Sequence, residues 1–276
     1  MTGVQTCALP IFRECFSLQR GFLKLNHEVI VWGLGHKNFN EIPKFQEFDL
    51  IINLENYGNG WEPNLSEVKT KKILWSIDAH VKGEKPYLDE FNRGKYNILL
   101  HSTKDFVNQP FKIWFPNAFD DDLIQKREVT IRCDVGFCGN FVNRHELINK
   151  LSQKYNFIHD NFVIGDNMVN SINSYKVHWN KNMSSDINYR NFETIGCGVP
   201  LVTNYNYQYD ELGFKHMDNV MFYSNDEEMF NSIDILLKDI NFREKIAING
   251  LELSKRHTYL ERCKKILQLY LSISNN

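Results

Sequence analysis

Asn188-Tyr-Arg190-Asn-Phe-Glu193-Thr-Ile-Gly196-Cys197-Gly198-Val-Pro200-Leu-Val-Thr-Asn204 reads as a short helix, a stop and a buried strand. Arg190 and Glu193 stand three residues apart near the start of the helix, on one face. The Gly-Cys-Gly run ends it, because glycine accepts the left-handed backbone of a tight helix end without strain. The first N–H groups of a helix have no partner within it and favour anions. An arginine there can grip a phosphate, and a carboxylate one turn on can accept hydrogen bonds from sugar hydroxyls. That chemistry suits a nucleotide-sugar.

Helix-then-strand alternation continues on both sides of this stretch. In the first half, strands are expected at Val29–Trp32, Phe48–Asn53, Ile73–Ser76, Asn97–His101 and Lys112–Phe115. In the second half they are expected at Asp134–Phe137, Phe162–Ile164, Lys176–Trp179, Pro200–Thr203 and Val220–Tyr223. Helices fit Phe12–Leu25, Arg144–Lys154, Asp226–Leu237, Asn241–Lys255 and Tyr259–Ser272. Apolar strands alternating with helices predict parallel sheets covered on their faces. Pro116-Asn-Ala, followed by Asp120, Asp121 and Asp122, has turn chemistry and marks a boundary. The three aspartates lack the strand context of a metal-binding pair and read as a solvated linker or helix start.

The 276 residues suffice for two α/β domains. Residues 12–120 are expected to form the first domain, 121–256 the second, and 257–276 a helix packing back toward the first. A net charge of −2 implies no general affinity for nucleic acid or anionic membrane. No apolar run approaches the roughly 20 residues that span a bilayer. Six cysteines include no Cys-x-x-Cys pair, so reduced thiols, no zinc and a cytoplasmic location are expected.

Residues 1–11 lack the features of a signal peptide and resemble a translated sequencing adapter. They are set aside from the fold, a genuine irregular first strand being the alternative. Without them the chain opens on a helix, and the first domain is expected to lack its native first strand.

Trp75-Ser-Ile-Asp78-Ala-His80, Phe115-Pro-Asn-Ala118, Val135-Gly-Phe-Cys-Gly139-Asn140 with Arg144, Ser174-Tyr-Lys176-Val-His-Trp-Asn180, Arg190–Gly198 and His257-Thr-Tyr259 with Arg262 follow one another in order. This succession resembles the group-1 glycosyltransferases, in particular their spore-maturation-type branch. The resemblance implies the GT-B fold, with two Rossmann-like domains, the second holding a nucleotide-sugar donor and the first an acceptor. It further implies transfer without a metal or other cofactor. Glu193 matches the second acid of the family's Glu-x7-Glu motif, but the first is absent, with Ser185 in its place and Asp186 beside it.

Glu193 is therefore the leading donor-binding candidate, for the ribose hydroxyls, and Arg190 the candidate for the diphosphate. An Arg190–Glu193 surface ion pair is the plain alternative. Gly139 and Asn140 follow the second domain's first strand, where open α/β sheets bind ligands, or form an ordinary turn. Lys176 could reach phosphate or be solvated, and Asp186 could replace the missing acid or cap a helix. Asp78 and His80 follow a strand of the first domain and are the candidates for orienting the acceptor or taking its proton. His101, at another strand end, ranks below them. A non-catalytic nucleotide- or glycan-binding protein and a nucleotide-sugar epimerase of the same architecture are the competing functions.

Overall fold

The computed structural model describes residues 14–55, 61 and 63–274, so the expectations for residues 1–11 and for a lost first strand lie outside the described residues. The chain divides into two compact units. The first holds residues up to Asn117 together with Ser184–Asp186 and the chain from Tyr259; the second holds Ala118–Met183 and Ile187–Thr258.

The first unit is built on four parallel strands, β1 (Leu50–Leu54), β2 (Lys71–Ser76), β3 (Ile98–His101) and β4 (Lys112–Trp114), lying side by side in chain order. Ile73, Leu74, Trp75, Leu99 and Leu100 are fully enclosed, as continuous apolar runs in a covered parallel sheet must be. Each such side chain contributes about 1.5–3 kcal/mol on leaving water. Helix α1 (Glu14–Lys24) buries Leu18 and Phe22. It meets the helix Tyr259–Ser274, with a β-carbon at Gly21 falling 2.6 Å from Cys263 Sγ. Only a glycine lets the two backbones approach that closely.

Helices α2 (Ala79–Lys82) and α3 (Lys85–Gly94) follow β2. Tyr87 of α3 packs with Leu65, Val68, Leu74, Tyr96 and Leu99 on one face of the sheet.

One expected strand is not there. Among the described residues, Val29–Trp32 pairs with no strand. Its carbonyls are met by side chains instead: Gln19 Nε2 donates to Val29 O at 3.2 Å and Asn38 Nδ2 to Val31 O at 3.2 Å. Ile30 is left 57% exposed, and Trp32 stacks on Phe39 with ring centres 5.6 Å apart. Apolar patterning marks a segment that packs, but a strand also needs an edge to join.

The second unit holds five parallel strands: β5 (Cys133–Cys138), β6 (Phe157–Asp160), β7 (Tyr175–Asn180), β8 (Leu201–Asn204) and β9 (Met221–Tyr223). Their spatial order is β6-β5-β7-β8-β9. The chain thus winds outward from β5 in one direction, then returns beside β5 and winds the other way. Helices α4 (His145–Lys154), α5 (Gly165–Asn173), α6 (Tyr189–Gly196) and α7 (Tyr209–Leu212) connect the strands, and α8 (Asp226–Lys238) and α9 (Ile240–Ser254) follow the last of them. Val135, Phe137, Val177, Trp179, Val202 and Met221 from the sheet pack with Leu151, Met229, Ile233, Leu236 and Ile246 from helices. The long final helix, α10 (Tyr259–Ser274), belongs to the first unit.

Here too one strand is displaced from its expected position. Phe162–Ile164 is a loop in which Phe162 is 80% exposed with φ +55°. The strand is Phe157–Asp160 just before it, aligned with β5 from Val135↔Phe157 to Cys138↔Asp160. Arg132 and Tyr175 both bond the Asp160 carboxylate, which anchors this less apolar segment at the sheet edge.

Helix α6 ends as its sequence requires. Val199 N donates to Thr194 O at 3.3 Å and Gly198 N to Ile195 O at 3.0 Å, with Gly198 at φ +64°. This is a Schellman stop, and the left-handed residue is the one for which a β-carbon is costly. Gly198→Ala is expected to lower unfolding stability by about 1–2 kcal/mol, read as a reduced urea midpoint. An unchanged midpoint would show that the turn does not depend on glycine.

Candidate active site

In an open parallel sheet, ligands bind beyond the carboxyl ends of the strands where the winding direction reverses. In the second unit that place is between β5 and β7. Gly139 and Asn140 leave β5 there, and Lys181 and Asn182 leave β7.

The two chain segments are tied by one side chain. Arg144 donates through Nε and Nη2 to Lys181 O at 3.1 and 2.6 Å, and through Nη1 to Asn140 O at 3.0 Å. Its guanidinium also lies over the Phe137 ring, 5.4 Å from the centroid. Asn140 Oδ1 accepts from Val142 N at 2.9 Å, the closure of a local turn. Gly139 N donates to Asp160 O at 3.1 Å, and its carbonyl meets His159 Nε2 at 2.7 Å.

Helix α6 begins at the same rim. Asn188, not Asp186, is its cap, with Oδ1 accepting from Arg190 N at 3.1 Å. A chain of bonds sets α6 against the strands. Cys138 N donates to His178 Nε2 at 3.0 Å, so His178 carries its proton on Nδ1 and donates to Thr194 Oγ1 at 2.6 Å. Thr194 Oγ1 in turn donates to Arg190 O at 2.7 Å. Burial, with the Arg190 charge adding to it, holds His178 well below the ordinary histidine value and keeps it neutral.

Arg190 and Glu193 come together here. Their Nη1 and Oε2 atoms are 2.6 Å apart, with side chains only 13% and 11% exposed. The surface-pair alternative is thus corrected: this is a largely buried pair, where removing one partner strands the other's charge. Burial is the largest influence and opposes the Arg190 charge, but the Glu193 carboxylate together with Cys138, Tyr189 and Cys197 holds the guanidinium above the ordinary arginine range. Arg190 also lowers, and Glu193 raises, the Cys138 thiol, whose upward shift comes chiefly from burial.

Sequence reasoning missed the asparagine network around this pair. Asn180 Nδ2 donates to Asn191 Oδ1 at 3.0 Å, and Asn191 Nδ2 to Asn182 Oδ1 at 2.7 Å. Asn182 Nδ2 donates to Tyr209 OH at 2.7 Å, and its backbone N to Asn204 Oδ1 at 2.7 Å. These side chains join the ends of β7 and β8 to the first turn of α6. The only signal for them was asparagine at consecutive strand ends, which solvent-facing turns share.

One expected member of this site lies elsewhere. Lys176 is the second residue of β7, at the opposite end of the sheet, where it pairs with Asp134 at 2.7 Å. At ~3.3 Å per strand residue it is roughly 15 Å from the rim, which corrects its reading as a phosphate ligand. Asp186 belongs to the first unit, and Asn188 rather than Asp186 caps α6.

The rim of the first unit has its own polar cluster. Asp78 precedes α2, pairs with Lys82 at 3.4 Å, and has a side chain 50% exposed. Glu55, also missed by sequence reasoning, follows β1 in a left-handed conformation (φ +55°) and holds this loop. It accepts from the Asp78 backbone N and, at 2.5 Å, from Tyr87 OH. Burial raises the Glu55 carboxyl above its ordinary value, and the Asp78 charge adds to the rise. His80, mostly buried in α2, is held below the usual histidine value first by that burial, and is neutral at neutral pH.

His101 is fully enclosed between Ser76 Oγ (2.8 Å) and Glu84 Oε1 (3.2 Å), with burial lowering it to about 4. That is a packing role. Ser185 is hydrogen-bonded to Thr103 and Asp105, and Asp186 to Ser102. Burial, reinforced by the Asp78 and Glu55 charges, pushes the Asp186 carboxyl up to about 7.

Among the described residues no group of three or more His, Cys, Asp or Glu side chains is arranged to hold a metal, and no helix is long and apolar enough to cross a membrane. Five cysteines, Cys15, Cys133, Cys138, Cys197 and Cys263, are free thiols.

The family model described as glycosyl transferase-like matches residues 123–268, more than half of the chain, and the chain belongs to that family. Among curated proteins, none matches. The solved structures similar to it include an alpha-glucosyltransferase in complex with UDP-glucose and DNA containing an abasic site. The two are 12% identical with a TM-score of 0.69, covering 98% of this chain and 97% of that one. T4 phage BGT in complex with UDP and Mn2+ is 13% identical, with a TM-score of 0.63 and 93% of each chain covered. Anabaena Alr3699/HepE in complex with UDP and glucose is 13% identical, with a TM-score of 0.60, covering 92% of this chain and 88% of that one. At these identities the likeness is one of fold: α/β with two parallel sheets, as in GT-B glycosyltransferases.

The buried Asp186 sets a pH dependence. Its folded value of about 7 lies above the ordinary 3.8, so between those limits the folded chain holds a proton that the unfolded chain has lost. Stability from this group therefore falls as pH rises toward 7, and the deficit persists above it. Asp186→Asn is expected to stabilise the protein by a few kcal/mol at pH 8, with the advantage gone near pH 4. Urea unfolding at both pH values checks this, and equal differences at both would contradict it.

Proposed function

We propose that this member of the glycosyl transferase-like family transfers a sugar from a nucleotide-sugar to an acceptor hydroxyl, with the donor at the β5/β7 reversal of the second unit. The observation that carries this is the Arg190–Glu193 pair at the capped start of α6, beside Gly139 and Asn140. The N–H groups of that helix end and the fixed Arg190 charge suit a diphosphate, whose charge grows as the sugar–phosphate bond breaks. Glu193 supplies the acceptor oxygens for ribose hydroxyls. The Gly139 backbone admits close approach, and the Asn140 side chain lies next to it.

On the acceptor side, Asp78 and His80 of the first unit are the proposed groups for orienting the hydroxyl or taking its proton. The acceptor oxygen bonds to the anomeric carbon, the bond to the diphosphate breaks, and the electron pair leaves with the diphosphate. A neutral His80 can accept the released proton, as can the Asp78 carboxylate. Lys176 is left out of the donor set by its position at the far end of β7. The proposal assigns the chain to the spore-maturation-type branch, on the ordered segments from Trp75 to Arg262, and to the cytoplasm, on its free cysteines.

Arg190 and the α6 N-terminus are proposed to meet the diphosphate charge without a metal ion, so turnover is expected to survive EDTA. UDP-glucose is the first donor to test, because UDP or UDP-glucose accompanies the three similar structures. Calorimetric titration is expected to show saturable binding that Glu193→Ala weakens at least ~10-fold, about 1.4 kcal/mol. The site assignment fails if several nucleotide-sugars leave no heat of binding, or if the variant binds like the parent.

One observation favours a non-catalytic binding protein. Ser185, which replaces the first acid of the motif, is engaged with Thr103 and Asp105 of the first unit. Release or transfer of glucose from bound UDP-glucose distinguishes the two readings, since a binding protein leaves the donor intact. Conversion of the donor sugar without any acceptor would instead identify an epimerase.

A further inference from the structure

Outside the β5/β7 rim, the second unit has an open depression of about 580 Å³ at the β9 edge of its sheet. It is lined by Tyr205, Phe222 and His216 on its aromatic side and by Asp210, Glu228 and Lys215 on its polar side. β8 stands between β7 and β9, so the depression is about two strand spacings, roughly 10 Å, from the end of β7.

Tyr205 and His216 present their rings on either side of the buried Phe222. Tyr205 meets Phe222 edge-on at 5.4 Å, and His216 lies parallel to Phe222 at 6.2 Å and 13°. Phe222 N donates to His216 Nδ1 at 2.9 Å, which fixes the imidazole and places its N–H on Nε2. Tyr205 OH donates to Asp210 Oδ2 at 3.0 Å, so this ring is held while remaining 47% exposed. Glu228 is oriented by Ser224 N, which donates to its Oε2 at 2.8 Å.

The segment that carries Tyr205 leaves further large side chains in water. Tyr205, Tyr207 and Met217 are 47%, 51% and 47% exposed within thirteen residues of sequence. Contiguous exposed aromatic surface rimmed by polar groups marks a contact site. The charges narrow the ligand: two carboxylates against one lysine disfavour a phosphate or another anion. What fits is a molecule with an apolar face for the rings and hydroxyls for the carboxylates, in a volume suited to a small ligand. A pyranose has that form.

We propose that this depression is a second saccharide-binding site, taking an uncharged sugar unit of a glycan and separate from the donor site. It requires neither turnover nor donor binding. The test is calorimetric titration of the full chain with maltotetraose, cellotetraose and chitotetraose, each with and without saturating UDP.

At least one tetrasaccharide is expected to bind saturably, with an affinity unaffected by UDP. Tyr205→Ala is expected to weaken it about tenfold, an effect of ~1.4 kcal/mol, and Tyr205→Phe to stay within about threefold because the ring survives. Asp210→Ala, at an exposed position, provides a second variant if Tyr205→Ala fails a thermal-melting check. The proposal is overturned if none of the three sugars saturates, if UDP displaces the one that does, or if the folded variants bind like the parent. Loss of UDP binding alone would count against the donor reading and leave this site standing.

Discussion

Strand ends in an open parallel sheet carry carbonyl and N–H groups that the ladder no longer satisfies, and the second unit meets this constraint at its β5/β7 reversal with Arg144. Its guanidinium bonds the carbonyls of Asn140 and Lys181, so the segments leaving the two strands share one fixed geometry. Five N–H donors in a planar fork suit that task, and the Phe137 ring beneath replaces part of the lost hydration. The segments that carry Asn140 and Lys181 are held together by it.

Neutral polar chains then fix the helix to the sheet. Cys138, His178, Thr194 and the Arg190 carbonyl form one such chain, and Asn180, Asn191, Asn182 and Tyr209 another. Buried polar groups of this kind are costly unless every member finds a partner, and when they do they specify one arrangement. The result is a charged pair, Arg190 with Glu193, held in nearly dry surroundings. Electrostatics acts more strongly there than at an exposed helix end.

The first unit uses the same principle with carboxylates. Glu55 holds the Asp78 loop through a backbone N–H and Tyr87, while Asp186 is buried enough for its acid form to persist to about pH 7. Asp78 itself remains half exposed. Within one rim, burial separates a carboxylate open to solvent from two that position the backbone or hold a proton.

The sequence alone determined the α/β class, the strands except Val29–Trp32 and Phe162–Ile164, the glycine stop of α6, and Arg190 and Glu193 as partners. These are local matters: apolar runs, the spacing of one helical turn, and the few residues that accept a left-handed backbone. It misplaced Lys176 because proximity in the chain does not tell which end of a strand a side chain joins, and it left open the role of Asp186. It missed Arg144 as a tie, Glu55 and the asparagine network because their partners are distant in sequence. Whether a charge is buried or solvated depends on what the fold brings around it. Only the tertiary structure decided that Arg190 and Glu193 form a nearly buried pair, and that Lys176 remains a solvated one.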